Sequence, residues 1–600
     1  MKRRTDICKL VLKELLSLNV YFKYYRKPIA LGLFFVLLSN IAGVYIPVLV
    51  RQGLDEAVFA SKLSAVLEGT GNAGSIAMVF GLLIIVASLI KGLFMYLMRQ
   101  KIVVVSRHIE YDLKNDLYKH YQQLDVAFYR RNFTGDMMAR IGEDVSNVRM
   151  YTGPAVMYFA NILFVFITVI FQMVNVNAQM SLYILLPLPL LSFSIYRVST
   201  IINNRTGEIQ RQLSAITTYA QETFAGIRVL KSFGAEGFFE EGFERESKEY
   251  RARSLKLAKV NSLFFPLMLL LIGFSNLLVL YLGGLEVAKG NFSTGNMAEF
   301  LLYLNMLIWP VASLGWTTAL VQKAAASQKR INEFLQTPAI QEAEDALPFQ
   351  FEKELRFENV GFTYEGKQSP AVQHVNFVLR KGEILGITGP TGSGKSTLAH
   401  FIMRQYAPSK GSISFDTIDV NRMRRAAYSQ AIAYVPQDVF LFSDTIYENI
   451  AFGAPNEVSA ADVERAAAMA CLLPDIQGFP AAMNTMLGER GVTLSGGQKQ
   501  RLSLARALLR KADLYVLDDC LSAVDLETEK QIIANLKATL NGNTAIIISH
   551  RVAPLSFANE ILVLDQGEIV EHGSMSALLH AKGAFAGLYE RQAGEFGIPS

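Results

Sequence analysis

Cysteine is nearly absent: 600 residues contain three, Cys8, Cys471 and Cys520, with no metal-like spacing and no obvious pairing. Neither a disulfide framework nor a zinc site is therefore expected, and the three read as ordinary thiols. Charge is scarce as well. Charged residues make up 18% of the chain and hydrophobic ones 51%, a balance that argues against a very large soluble core and for segments embedded in a membrane. The net charge of +5 is mild and does not call for a nucleic-acid partner. A signal peptide is not expected either: Met1 to Asp6 is basic, but the first apolar run begins near Ile29 and is too long and too late.

What is present in the first half is a series of long apolar runs. Ile29 to Val50 is free of charge until its end, enough to cross a hydrocarbon layer that takes about 20 helical residues. Further runs follow at Ser75–Met98, which contains only Lys91, and at Pro154–Val174, Ser181–Tyr196, Val260–Leu282 and Phe300–Val321. Six spans are predicted. Pro187 and Pro189 in the fourth are compatible with a helix supported by neighbours. Lys91, Asn161, Gln172, Asn276 and Asn305 are polar positions inside spans; such groups face a bundle interior or a cavity, and Lys91 is expected to snorkel toward the interface. Residues 8 to 24 mix Leu10, Leu15, Leu16 and Val20 with Lys9, Lys13 and Lys23, which suits a helix on the membrane surface, an internal packing helix being the alternative.

Loop charge sets the orientation. Lys and Arg crowd the residues before the first span, after the second and after the fourth, whereas the intervening loops offer little beyond Arg51, Lys62 and Lys289. Both termini are thus expected on the cytoplasmic side of a multi-pass protein of the cytoplasmic (inner) membrane. The basic segments 99–153 and 200–259 are polar with helical periodicity and read as extensions of the membrane helices. Bends around Phe128–Asp136 and Thr218–Thr223 either touch a cytoplasmic domain or belong to plain solvated hairpins.

From about Lys323 the chain changes character. A polar helix over Gln322–Gln336 and an acidic stretch from Glu342 to Asp345 mark a linker, and an α/β domain with strand-like runs at 355–362, 383–388, 431–435, 514–517, 545–549 and 561–564 follows. Its chemistry centres on Gly389, Pro390, Thr391, Gly392, Ser393, Gly394, Lys395, Ser396 and Thr397, which fit G-x-x-x-x-G-K-[ST] at every fixed position. Glycines let successive amide N–H groups converge on phosphates, Lys395 adds a point charge, Ser396 is placed to ligate Mg²⁺, and a following helix aims its positive end at the same place. Asp518 closes an apolar strand, where it can hold the water shell of Mg²⁺.

Several further stretches, in order, carry a family resemblance. Tyr364, Gln437 within Val435–Asp438, the run Leu494–Gln498, the pair Asp518–Asp519, Ser522–Asp525 and His550 stand as in ATP-binding cassettes, and Glu489–Gly491 resembles the X-loop of exporters. The whole chain resembles an ABC exporter half-transporter. That resemblance implies roles: Tyr364 stacks on adenine, Gln437 is the Q-loop residue and a metal ligand beside Ser396 and Asp518, and Asp519 and His550 attend the reacting phosphate. It also implies that Ser495, Gly496, Gly497 and Gln498 form the signature that completes a partner's ATP site, with Asp525 in the D-loop. Phe128–Asp136 and Glu222–Lys231 resemble the segments flanking coupling helices. One position departs from the family pattern, since glutamate generally follows the Walker B aspartate and this chain has Asp519, one methylene shorter.

The expected architecture is an α-helical membrane domain, with six transmembrane helices and long cytoplasmic extensions, joined to an α/β P-loop ATP-binding cassette. The boundaries are an amphipathic segment 1–27, membrane domain 28–322, linker 323–350 and nucleotide-binding domain 351–600. The expected activity is ATP-driven export of a hydrophobic or amphipathic substrate (drug, lipid or peptide), with ATP and Mg²⁺ and a second half-transporter, a heterodimer being favoured over a homodimer. The alternative is an ATP-gated channel or regulatory subunit that does not pump.

Overall fold

Lipid offers a backbone no hydrogen-bond partner, so an apolar run that crosses it must satisfy its own N–H and C=O groups as a helix. The computed structural model describes residues 13–67, 73–340, 342, 345–488 and 491–596 and divides into two units. Unit one, residues 1–122 and 133–338, is helical over its described residues. Five of its helices are individually long and apolar enough to span: those within Arg26–Ala60, Gly74–Gln122, Thr134–Val176, Glu236–Ala288 and Thr294–Leu335. The fourth span is composite, Ala178–Leu185 followed by Pro187–Ala225, because Pro187 has no N–H to continue the ladder. The six-span helical domain is thus as expected. At about 1.5 Å per residue, the 53 residues of Glu236–Ala288 far exceed a bilayer, and the surplus forms the polar extensions.

The third span does not begin at Pro154. Its helix reaches back to Thr134 through two π-type turns, Arg140–Asp144 and Tyr151–Ala155, the second containing Pro154. Asp144, nearly fully buried, is ion-paired with Arg330 of the last helix. The polar helix foreseen over Gln322–Gln336 is the end of that same continuous helix, Thr294–Leu335. Lys91 lies against the first span, its Nζ 3.3 Å from where a Cβ on Gly43 would stand, and Asn161 accepts a 3.1 Å hydrogen bond from Asn40. Of the amphipathic segment, Cys8 and the residues before 13 lie outside the described part. In the remainder Leu15 and Leu18 are buried while Leu16, Val20 and Tyr24 are exposed, and the Tyr25 hydroxyl donates to Asp112 at 2.8 Å. One face packs and the other is free.

Unit two comprises residues 339–600 together with 123–132. The bend at Val126–Arg131 therefore belongs with the nucleotide unit, tied in by the Ile340 amide, which donates to the Gln123 carbonyl at 2.8 Å. The bend expected over Thr218–Thr223 is instead ordinary helix. A six-stranded sheet runs Glu568–Gly573, Glu560–Asp565, Ile384–Thr388, Thr544–Ile548, Leu514–Asp518, Ile432–Val435, with its last five strands parallel. Its central strands are buried on both faces, as a sheet covered by helices requires. A second, antiparallel sheet joins Val372–Arg380, Glu354–Phe362, Lys410–Phe415 and Ile418–Asp419.

Candidate functional site

In a parallel sheet all strands end at the same edge, and ligands bind where the chain leaves those carboxyl ends. Four adjacent strands here each release a predicted site residue at that edge. The phosphate loop follows Ile384–Thr388, His550 follows Thr544–Ile548, Asp519 follows Leu514–Asp518, and Gln437 follows Ile432–Val435. The register confirms the convergence, with Ile387 beside Ile548 and Ile548 beside Asp518. Asp519 is pinned further by its amide, which donates to the Ile548 carbonyl at 2.8 Å.

The loop's curvature depends on its glycines. Gly389 and Gly394 adopt φ of 144° and 99°, and a Cβ would lie 2.0 Å from the Leu564 carbonyl oxygen at the first and 2.4 Å from that of Ala371 at the second. No side chain fits either position. The helix Lys395–Ile402 then starts at the loop. Lys395 is buried, and its Nζ donates to the Gly389 and Pro390 carbonyls at 2.9 and 2.7 Å. Burial lowers its pKa, against the opposing pull of Asp519 and Asp518. Ser396 Oγ donates to Asp518 Oδ1 at 3.2 Å, and burial, the largest influence, raises the Asp518 carboxyl to about 6. Asp519 is buried with φ of 48°. A non-glycine residue in that region carries strain of about 1–3 kcal/mol, which clusters at working sites. His550 is half-buried, and burial followed by the charge of Lys395 lowers its pKa. Gln437 is exposed.

Tyr364 joins this group through its hydroxyl, 3.2 Å from Thr397 Oγ1. The signature residues are built differently. Ser495 caps the helix Gly496–Leu509 in a reciprocal capping box with Gln498, and Gln498 Nε2 donates to Asp475 at 2.8 Å. Ser495 and Gly496 are exposed. Asp525 caps the helix Leu526–Leu540 by accepting from the Thr528 amide at 3.0 Å. Sequence reasoning missed Gln500, which is buried and joins signature to D-loop: its Nε2 donates to Ser522 Oγ at 2.8 Å, and its Oε1 accepts from the Ala523 amide at 2.9 Å. A glutamine two residues beyond the signature was a signal only in hindsight of the D-loop's position. Glu489 and Arg490 of the expected X-loop lie outside the described residues.

The oxygen donors of Ser396 and Asp518 fit Mg²⁺, which takes few protein ligands and keeps its waters. Among the described residues no cluster of three or more His, Cys, Asp or Glu competes as a metal site.

A fused helical membrane region and a sheet edge bearing a phosphate loop define an ATP-binding transporter. The family models agree: "ABC transporter transmembrane region" matches residues 29–311 and "ABC transporter" matches 372–522. The chain is 34% identical over 532 residues to "Multidrug resistance-like ATP-binding protein MdlA" of Escherichia coli, covering 88% of this chain and 90% of that one. It is 31% identical over 507 residues to "ATP-dependent lipid A-core flippase" of Shewanella denitrificans, covering 84% of each chain. A solved structure, "Structure of a bacterial Atm1-family ABC exporter with ATP bound", shares the fold with a TM-score of 0.79 at 24% identity, over 95% of this chain and 99% of that one. This chain belongs to the ABC transporters, as a half-transporter that fuses one membrane domain to one ATP-binding domain. It is a multi-pass membrane protein whose ATPase domain is coupled to transport.

Proposed function

We propose that this chain exports a hydrophobic or amphipathic cargo across the cytoplasmic membrane, with both termini cytoplasmic, as one subunit of a dimer. The observation that carries the reading is the presence within one chain of two half-sites: a phosphate loop gathered with Asp518, Asp519 and His550, and a signature helix whose capped N-terminus is exposed. A helix N-terminus attracts anionic phosphate, so Ser495, Gly496 and Gly497 serve nucleotide held by a second subunit. Relatives named for multidrug resistance and for lipid A-core flipping support apolar or amphipathic cargo.

A second feature fits a dimer. The short helix Ile227–Phe233 presents Val229 and Phe233 to solvent beside Arg228 and Lys231. The nucleotide unit has a cavity of 890 Å³ lined by Phe442, Tyr447 and Phe452 with Asp444, Glu448 and Glu457. Apolar groups and opposite charge match, so this helix of one copy docks in that cavity of the other.

In the reaction, Tyr364 stacks the adenine base, the Gly389–Thr397 loop directs amides and Lys395 at the phosphates, and His550 offers an N–H to the terminal phosphate. Ser396, Asp518 and Gln437 would hold Mg²⁺, which would supply charge stabilisation at the phosphate oxygens when bound. Asp519 orients the attacking water. Phosphoryl transfer depends chiefly on such positioning, and a carboxylate withdrawn by one bond slows it. Asp519 therefore makes this the slower site of a heterodimer, whose partner supplies glutamate.

The test is turnover and cargo uptake by the chain alone in sealed lipid vesicles, then with Asp519→Glu and Asp519→Asn. Slow hydrolysis that Asp519→Glu raises several-fold is expected. Brisk cargo-stimulated hydrolysis by the lone chain, lost in Asp519→Asn, would establish a homodimer with a working aspartate. Hydrolysis in the reconstituted dimer without uphill accumulation of any cargo would replace export by the gated-channel reading.

A further inference from the structure

The helix Ala584–Phe596 is laid onto the nucleotide unit by one face. Phe585 is fully buried, and Leu588 and Tyr589 pack against the same core. Its first turn is held by the Glu571 carboxylate, which accepts from the Phe585 amide at 3.0 Å. Gln592 continues that face, two turns beyond Phe585, at a position where an amphipathic helix calls for another apolar group. What it meets there is backbone. The chain leaves the sheet after Ile548, so the polar groups of the following loop need partners outside the ladder. Gln592 Nε2 donates to the His550 carbonyl, and its Oε1 accepts from the Val552 amide, both at 2.8 Å. The residue between them is held separately. The Arg551 amide donates to Ser549 Oγ at 2.9 Å, and its guanidinium pairs with the buried Glu529 and donates to the Ser522 carbonyl at 3.3 Å. The loop is thus tied down around His550, whose ring faces the Gly389 carbonyl and senses the charges of Lys395 and Asp519.

We propose that Gln592 is a positioning residue for ATP hydrolysis: its carboxamide clamps the loop that carries His550 and sets the direction in which that imidazole meets the terminal phosphate. The inference rests on the reading of His550 as a phosphate-contacting group given above. A carbonyl only accepts and a backbone amide only donates, so the two contacts require one donor and one acceptor on the same side-chain end, in a single orientation. Glutamate there sets a carboxylate oxygen against the His550 carbonyl oxygen. Methionine, of similar length, leaves both backbone groups unpaired. Either change lets the peptide units around Arg551 rotate and carry the imidazole off line. Phosphoryl transfer depends chiefly on positioning, and a misplacement of about 1 Å costs up to about 100-fold in rate. The clamp acts on rate rather than on nucleotide affinity, because the groups read as holding nucleotide, Tyr364 and the Gly389–Thr397 loop, belong to other parts of the unit. It also makes the helix Ala584–Phe596 part of the catalytic apparatus, since a shift of that helix reaches the ATP site through one side chain.

The test uses full-length protein in lipid nanodiscs with Mg-ATP, and places Gln592→Met and Gln592→Glu in the wild-type and His550→Ala backgrounds. In the wild-type background both are expected to lower kcat roughly tenfold while Kd for Mg-ATP stays within about twofold and the unfolding temperature stays near that of wild type. In the His550→Ala background the residual single-turnover rate should change by no more than about twofold, because the clamp has nothing left to aim. A wild-type kcat for Gln592→Met would mean that the position only fills space and would overturn the proposal. An equal fractional loss in both backgrounds would overturn it too, as would a loss of Mg-ATP affinity that matches the loss of kcat, or a loss of kcat that tracks a lowered unfolding temperature in both variants. Should Gln592→Met not fold, the isosteric Gln592→Glu carries the same comparisons. The reading of His550 fails by a different result, a wild-type kcat for His550→Ala alone.

Discussion

One buried charge in the membrane unit and one in the nucleotide unit are treated in opposite ways. Where the first and last spans meet near Arg51, the charges of Arg51, Asp55 and Glu299 each have a partner. Arg51 reaches the buried carboxylate of Glu299 at 3.2 Å, Glu299 also accepts from the Tyr303 hydroxyl at 2.9 Å, and Asp55 accepts from the Gly295 amide and the Ser293 hydroxyl at 2.9 and 2.8 Å. In the phosphate loop, Lys395 is just as inaccessible but bonds its ammonium to two backbone carbonyls and the Ser393 hydroxyl, with no carboxylate among the described residues in ion-pair contact. A closed network spends its charges on holding two helices together. An open one keeps a desolvated cation for a ligand, which is where a charge acts most strongly.

The largest effect should come from breaking the open network. Lys395→Ala is expected to lower ATP turnover roughly 100-fold or more, since it removes a preorganised charge from the transferring phosphate. Its thermal unfolding should move little, because the lysine's own desolvation offsets its bonds to the loop. A large loss of stability with turnover intact would place Lys395 in the structural class instead. Next in size is the closed network. A Cβ on Gly295 would stand 2.5 Å from the Arg51 carbonyl oxygen and 2.6 Å from Asp55 Oδ1, and backbone cannot step aside cheaply. Gly295→Ala should therefore destabilise the membrane unit by about 1–3 kcal/mol, read as a lower unfolding temperature in detergent with Mg-ATP affinity unchanged. An unaltered unfolding temperature would show that the two helix ends are not held together there.

The same contrast explains what the sequence revealed. Binding phosphate restricts residue types at fixed spacings, so Gly389, Gly394, Lys395, Ser396 and Asp518 are recognisable without coordinates, and the structure brings them to one sheet edge. A span requires only apolar residues over sufficient length. The lengths were legible, but the Arg51–Glu299 pair was not, because Arg51 reads as a loop charge and Glu299 stands just before an apolar run. Of the antiparallel sheet only the strand at 355–362 was legible. Val372–Arg380 carries Gln373, His374 and Asn376, and its pairing with Glu354–Phe362 shifts register twice, which erases the alternation that would announce a strand.

The smallest stability effect concerns Ser495, where structural and chemical roles coincide. As N-cap it accepts from the Gln498 amide, and Ser495→Ala should cost about 1 kcal/mol of helix stability. Loss of activity in that variant would be ambiguous, because a frayed helix also loses its N-terminal amides. Ser495→Asp resolves the matter. Aspartate caps as well as serine and interacts favourably with the helix dipole, so the unfolding temperature should match wild type. If the exposed helix terminus receives a partner's nucleotide, however, the added carboxylate faces phosphate of like charge, and hydrolysis by the dimer should collapse while the chain's own Mg-ATP affinity, measured on isolated subunits, is retained. Wild-type hydrolysis in the Ser495→Asp dimer would reduce the signature serine to a helix cap and remove the exposed terminus from the nucleotide site.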